Sequence, residues 1–103
     1  MDVPLTGACI VGRILIRDHE RWERYRAGVP ATIAPFGGEL VARGHGAKAL
    51  AWHDSMPSPE TDMVVIRFPS MEAIEGWHAS AAYQALIPLR EAAADVTIVA
   101  YRL

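Results

Sequence analysis

Met63-Val64-Val65-Ile66-Arg67-Phe68 and Val96-Thr97-Ile98-Val99-Ala100-Tyr101 decide the fold. Both are short runs rich in β-branched and aromatic residues, the composition of strands. A strand with one wet face alternates apolar and polar residues, because successive side chains point to opposite faces. These two are apolar on both parities, so the sheet that holds them needs cover on both sides.

Working outward, Ala8 to Arg17 (ACIVGRILIR) reads as a first strand of the same kind. Asp18 is placed to cap a following helix, with Glu20 near its positive end. Trp22, Tyr25, Val29 and Ile33 recur at three- and four-residue steps and form its apolar face. Gly28 and Pro30 predict a bend or two short helices there, and Phe36-Gly37-Gly38 ends the segment. Glu39 to Arg43 reads as a second strand, Gly44-His45-Gly46 as a turn, and Ala47 to Trp52 as a short return strand. His53 to Asp62, with its prolines and serines, is a surface loop. After the Met63–Phe68 strand, Ser70 caps a short helix to about His78. Ser80 caps another from Ala81 towards Ala93, with Pro88 as a kink.

The order β-α-β-(β)-β-α-α-β is the split βαβ, or ferredoxin-like, arrangement: an α+β fold with an antiparallel sheet and its helices on one face. The helices cover one side of the sheet only. A second copy, sheet against sheet, is the economical cover for the other and would close a barrel across a two-fold axis. The alternative is a monomer that leaves those apolar residues partly exposed.

The 103 residues fit one domain, residues 1–103, and the formal net charge of −2 offers no basic stripe for nucleic acid. No basic amphipathic helix or long apolar run addresses a membrane. Cys9, the one cysteine, sits in an apolar run and reads as a buried, inert thiol. Met1 to Gly7 lacks the charged start and apolar stretch of a secretion signal, so a cytoplasmic location is expected. The four histidines His19, His45, His53 and His78 show no metal-ligand spacing, and no metal or other cofactor is expected. Phosphate-binding glycine motifs and the serine-hydrolase elbow are absent.

Several segments occur together in a telling order: Tyr25-Arg26-Ala27-Gly28-Val29-Pro30-Ala31-Thr32, Phe36-Gly37-Gly38, Arg43-Gly44 and Val65-Ile66-Arg67-Phe68-Pro69-Ser70. Ser80-Ala81-Ala82-Tyr83-Gln84 and Leu89-Arg90-Glu91-Ala92-Ala93-Ala94-Asp95 follow. Together, from about Ala8 to the C-terminus, the chain resembles the DUF1330 family of small bacterial proteins. The resemblance implies a dimeric α+β barrel, related in fold to antibiotic-biosynthesis monooxygenases, EthD-like proteins and muconolactone isomerases. It implies no reaction. Two departures stand out: Phe36 replaces a frequent tyrosine, and His45 stands where the family usually continues with glycine.

Arg43 and His45 lie two apart on a strand and its end, so their side chains share a side. A guanidinium beside an imidazole can clamp an anion and exchange a proton; the plainer alternative is an edge strand facing water. Tyr25 and Tyr83 carry phenols that suit a small-ligand pocket, with core packing as the alternative. Trp77 is a candidate wall. Arg90 and Asp95 flank the last helix-to-strand junction. They either line the same cavity or serve locally, Arg90 on helix C-terminal carbonyls and Asp95 in the turn.

Two functions are compatible with this set. One is a cofactor-independent enzyme, monooxygenase- or isomerase-like, acting on a small organic, aromatic or polyketide-like substrate. There Arg43, His45 and Tyr83 would be catalytic, and Tyr25, Trp77, Arg90 and Asp95 would bind substrate. The other is a non-catalytic homodimer that binds a small molecule or a protein partner.

Overall fold

A computed structural model describes residues 6–103; residues 1–5 of the N-terminal stretch read above lie outside them. Four strands, β1 (Ala8–Ile16), β2 (Glu39–Gly44), β3 (Asp62–Phe68) and β4 (Ala94–Arg102), form one antiparallel sheet in the order β2-β3-β1-β4. The helices are α1 (His19–Ile33), α2 (Met71–Ala79), α3 (Ala81–Gln84) and α4 (Ile87–Ala93), with a 3-10 turn over Ala34–Phe36 after α1. This is the ferredoxin-like order, the two central strands being the most apolar.

Local signals start the helices where the sequence puts them. Asp18 accepts a bond from the Arg21 amide at 3.1 Å, and Ser70 from the Ala73 amide at 3.1 Å. Ser80 closes α2 and opens α3, accepting from the Tyr83 amide at 3.2 Å. Gly37 ends the 3-10 turn with φ 74°, a left-handed value that a β-carbon would strain.

Pairing fixes which residues meet the helices. Ile10 lies beside Ile66, Ala8 beside Phe68 and Ile14 beside Val96. These side chains, with Ile33, Ile74 and the aromatic residues of α1, α2 and α3, make the core. At its centre Trp77 packs 4.2 Å from Tyr83 and 5.5 Å from Phe68, centroid to centroid. Its indole nitrogen donates to Thr32 Oγ1 at 3.1 Å, and that hydroxyl donates to the Val29 carbonyl at 2.7 Å. A buried indole N–H is thereby satisfied, and α2 is tied to the end of α1.

Four expectations need correction. Ala47 to Trp52 forms no strand: β2 runs into β3 without it, and the segment lies across the outer side of the sheet. There Trp52 receives the Arg13 guanidinium over its ring at 5.8 Å, so its apolar residues act as cover rather than as a ladder. Second, α1 is one helix across Gly28 and Pro30, because Pro30 falls in its last turn and removes a single amide donor. Third, residues 81–93 divide into α3 and α4, with Pro88 in the first turn of α4, where a missing amide costs nothing. Last, the carbonyls at the end of α4 are served by Arg17, not Arg90: its guanidinium donates to the Glu91 and Ala94 carbonyls and its amide to Ala93.

The outer side of the sheet stays partly open. Leu15, Val99 and Tyr101 remain 50%, 47% and 49% exposed. No helix of the described residues is long and apolar enough to cross a membrane.

Candidate functional site

A cavity of about 430 Å³ lies between α1 and the helix side of the sheet. Its size is that of a small organic ligand. Trp22, Tyr25, Arg26, Val29, Pro30 and Ile33 of α1 form one wall, and Ile10, Gly12, Ile14, Val64, Ile66, Val96 and Ile98 form the sheet side. Trp77 closes one part, while Leu40, Arg43, Gly44 and His45 enter from the edge strand.

Two local features make this space. Gly12 lies in the central strand, where a β-carbon would sit 2.8 Å from Val64 Cγ1, so the missing side chain leaves room above the sheet. In β2 the ladder slips between Leu40, opposite Ile66, and Ala42, opposite Val65. Val41 is the extra residue of this irregularity. Beyond it Arg43 pairs with Val64, a strand position of the helix side; without the slip it would sit opposite Met63, on the outer side. The slip therefore turns Arg43, and His45 two residues on, towards the cavity. Both remain exposed at its rim.

The sequence-selected residues separate into two groups. Arg43, His45, Tyr25 and Trp77 line the cavity. Tyr83, Arg90 and Asp95 do not. Tyr83 is fully buried behind Tyr25, their hydroxyls 2.8 Å apart. The Arg90 guanidinium donates to the Tyr83 hydroxyl at 2.9 Å and to Glu91 at 2.8 Å, while its Nε is buried without a partner among the described residues. Asp95 pairs with Arg17 at 3.2 Å, both largely exposed.

Electrostatics follow burial. Burial pushes the Tyr25 phenol well above its ordinary value of 10.0, and the bond to Tyr83 adds to this, so Tyr25 stays protonated. Burial opposes the Arg90 charge, but hydrogen bonds to Glu91 and Tyr83 outweigh it and raise its pKa. Tyr25 and Tyr83 meet edge to face, 6.4 Å between centroids.

Two polar lining residues escaped the sequence reading. Arg26 is four residues after Trp22 and seven before Ile33, so the stripe spacing contained it, but its charge hid it; it also pairs with Glu23 at 2.7 Å. Asp62 was read as loop, whereas it opens β3 opposite Ile14. Among the described residues no three His, Cys, Asp or Glu side chains gather as metal ligands would.

Residues 7–102 match the family described as "Domain of unknown function (DUF1330)". Solved structures similar to the chain include the RPA0582 protein of unknown function from Rhodopseudomonas palustris (TM-score 0.72, 15% identity, 95% of this chain and 82% of that one). SnoaB, a cofactor-independent oxygenase from Streptomyces nogalater, superposes with TM-score 0.66 at 13% identity over 96% of this chain and 94% of its own. A dimeric ferredoxin-like protein of unknown function from Jannaschia sp. CCS1 gives TM-score 0.59 at 11% identity over 92% and 99%. At these identities the likeness is one of fold. No curated protein matches the chain.

Proposed function

Because the chain belongs to the DUF1330 family, a domain of unknown function, we propose its role from the cavity: a cofactor-independent enzyme acting on a small aromatic or polyketide-like molecule. The observation that carries this reading is the ladder slip in β2, which adds Arg43 and His45 to the rim of a mainly apolar cavity of about 430 Å³ that Arg26 and Asp62 also line. The substrate's ring system lies against Trp22, Val29 and Trp77, and its oxygen-bearing end meets Arg43.

In this reading His45 takes a proton from an acidic C–H, histidine being the side chain suited to that exchange near neutral pH. Arg43 pairs with the enolate oxygen left behind. Returning the proton to another carbon completes an isomerisation. Alternatively, dioxygen adds to the carbanion of a CH2 group and the peroxide takes up the proton. Loss of water then leaves a ketone, with one oxygen atom in product and one in water. The likeness to a cofactor-independent oxygenase supports the second course at the level of fold alone.

The protein works as a homodimer in the same proposal. The half-exposed Leu15, Val99 and Tyr101 on the outer side of the sheet support a second copy as their cover. A non-catalytic homodimeric binder is the second reading, favoured by the exposure of both Arg43 and His45, which leaves them open to water.

Native mass spectrometry of freshly purified protein tests the ligand site: a dimer carrying an organic mass is expected, and Arg43→Ala should lose that mass while remaining dimeric. Wild-type protein that neither retains a mass nor binds any aromatic acid in an NMR screen would remove the proposal. Once a substrate is found, a bell-shaped pH–rate profile with one limb near neutral, lost in His45→Gln, selects the enzyme over the binder.

A further inference from the structure

The buried chain Arg90–Tyr83–Tyr25 fixes the direction of a proton. A guanidinium only donates, so the Tyr83 oxygen accepts from Arg90 at 2.9 Å. Tyr83 is fully buried, and among the described residues its hydroxyl has just one other partner, Tyr25 at 2.8 Å. If Tyr25 donated to Tyr83, the Tyr83 proton would be buried without an acceptor, which is costly. Tyr83 therefore donates to Tyr25. The Tyr25 hydroxyl then holds a proton with no acceptor among the described residues, and Tyr25, unlike Tyr83, lines the cavity.

We propose that Arg90 and Tyr83 are positioning residues that aim the Tyr25 hydroxyl proton into the cavity, where it donates to a ligand's carbonyl or enolate oxygen. The proposal rests on the cavity being a ligand site and narrows the ligand class: an apolar ring system bearing an acceptor oxygen at depth, apart from the end held at the Arg43 rim. It also exchanges the roles first given to the two phenols. Tyr25 touches the ligand, and Tyr83 acts through it. Burial, which keeps Tyr25 protonated, suits a donor and not a base.

The wild-type protein tests the proton's direction without any ligand. The chain holds three tyrosines, so ring Cζ labelling gives three signals, with the half-exposed Tyr101 as reference. In mixed H2O and D2O a slowly exchanging hydroxyl gives a doubled line. Doubling is expected for Tyr83, whose proton is enclosed, and a single averaged line for Tyr25, whose proton meets the cavity. A doubled Tyr25 line beside an averaged Tyr83 line would reverse the direction and overturn the proposal. In Arg90→Met the donor-only anchor is gone and Tyr25 can donate to Tyr83, so Tyr25 doubling should appear; a purely structural Arg90 would leave the pattern unchanged.

The ligand arm compares 1-tetralone with tetralin, which share a skeleton and differ in one acceptor oxygen. Wild type should prefer tetralone by about five- to tenfold, the worth of one hydrogen bond, and Tyr25→Phe should abolish the preference while still binding tetralin. Equal binding of both by wild type would overturn the donor role and leave the ligand site standing. Binding of neither would remove the cavity as a ligand site together with the donor role, and the isotope pattern would still decide the proton's direction.

Discussion

The two sides of the sheet are made from the same strands and have opposite problems. On the helix side Ile10, Ile14, Ile66 and Phe68 are buried against α1 and α2, yet a cavity remains because Gly12 contributes nothing and β2 slips at Val41. On the outer side Val11, Leu15, Val99 and Tyr101 lie at the alternate positions of β1 and β4, and among the described residues only 47–61 fold across part of this side. One side has cover with room left inside it. The other has apolar surface with little cover. Doubly apolar strands therefore do not imply two equivalent cores: the inner side encloses a cavity, and the outer side presents half-exposed apolar residues to which the proposed dimer assigns a partner.

The largest break in this contrast comes from Trp77→Ala. Trp77 is 1% exposed, joins Phe68 to Tyr83 and anchors Thr32, so its removal should cost about 3–5 kcal/mol of stability. Denaturant melts should report the loss in full whether or not the protein is a dimer. A loss below about 1 kcal/mol would mean that the inner side is far more yielding than its packing indicates.

Tyr101→Asp addresses the outer side alone. A charge in the middle of the proposed interface should weaken association by about 2 kcal/mol or more, some thirtyfold, as interface aromatics do. Analytical ultracentrifugation should show dimer giving way to monomer, while circular dichroism stays that of the folded chain. An unchanged sedimentation profile would sink the sheet-to-sheet dimer and leave the outer side as bare surface.

These two substitutions also mark how far the sequence could be read. The strands, the caps at Asp18, Ser70 and Ser80, and the ferredoxin-like order were legible because β-branched runs and side-chain caps are local signals. Residues 47–52 were misread as a strand since apolar content alone does not say whether a segment joins a ladder or lies over one. Arg43 and His45 were rightly taken as sharing a side, but which side depends on the slip at Val41, a property of two strands together. Tyr83 was legible as a candidate pocket phenol, and Arg90 as a charged group beside Asp95 at the helix-to-strand junction. Their burial behind Tyr25 was not, because it depends on where α4 packs against α1.

A smaller effect separates volume from packing on the inner side. Gly12→Ala places a methyl 2.8 Å from Val64 Cγ1, so the β-branched Val64, stiff at χ1, must shift, at about 1–2 kcal/mol, within the range of overpacking. The same methyl enters the cavity floor. Binding of a tetralone-sized probe should weaken more than the small fall in melting temperature suggests, and titration against thermal melts checks this. If affinity is untouched, the ligand does not reach the central strand and lies nearer the rim.

The smallest effect belongs to a residue on neither side. Asp18 joins β1 to α1, and its carboxyl is held below its ordinary value of 3.8, chiefly by the Arg21 amide; desolvation opposes this as the next influence, and the Arg21 charge and the Glu20 amide add smaller lowerings. A depressed carboxyl contributes stability above its unfolded value and loses it as pH falls through the lower folded value. Asp18→Ala should therefore melt slightly lower than wild type at neutral pH, and the gap should narrow as pH drops below 3.8. The gap should be the same in the Tyr101→Asp background, because the cap touches neither the cavity nor the outer side and distant sites add. A gap that stays constant into acid would mean that Asp18 acts by shape and not by charge. A gap that changes with Tyr101→Asp would couple the β1–α1 junction to association and blur the separation of the two sides.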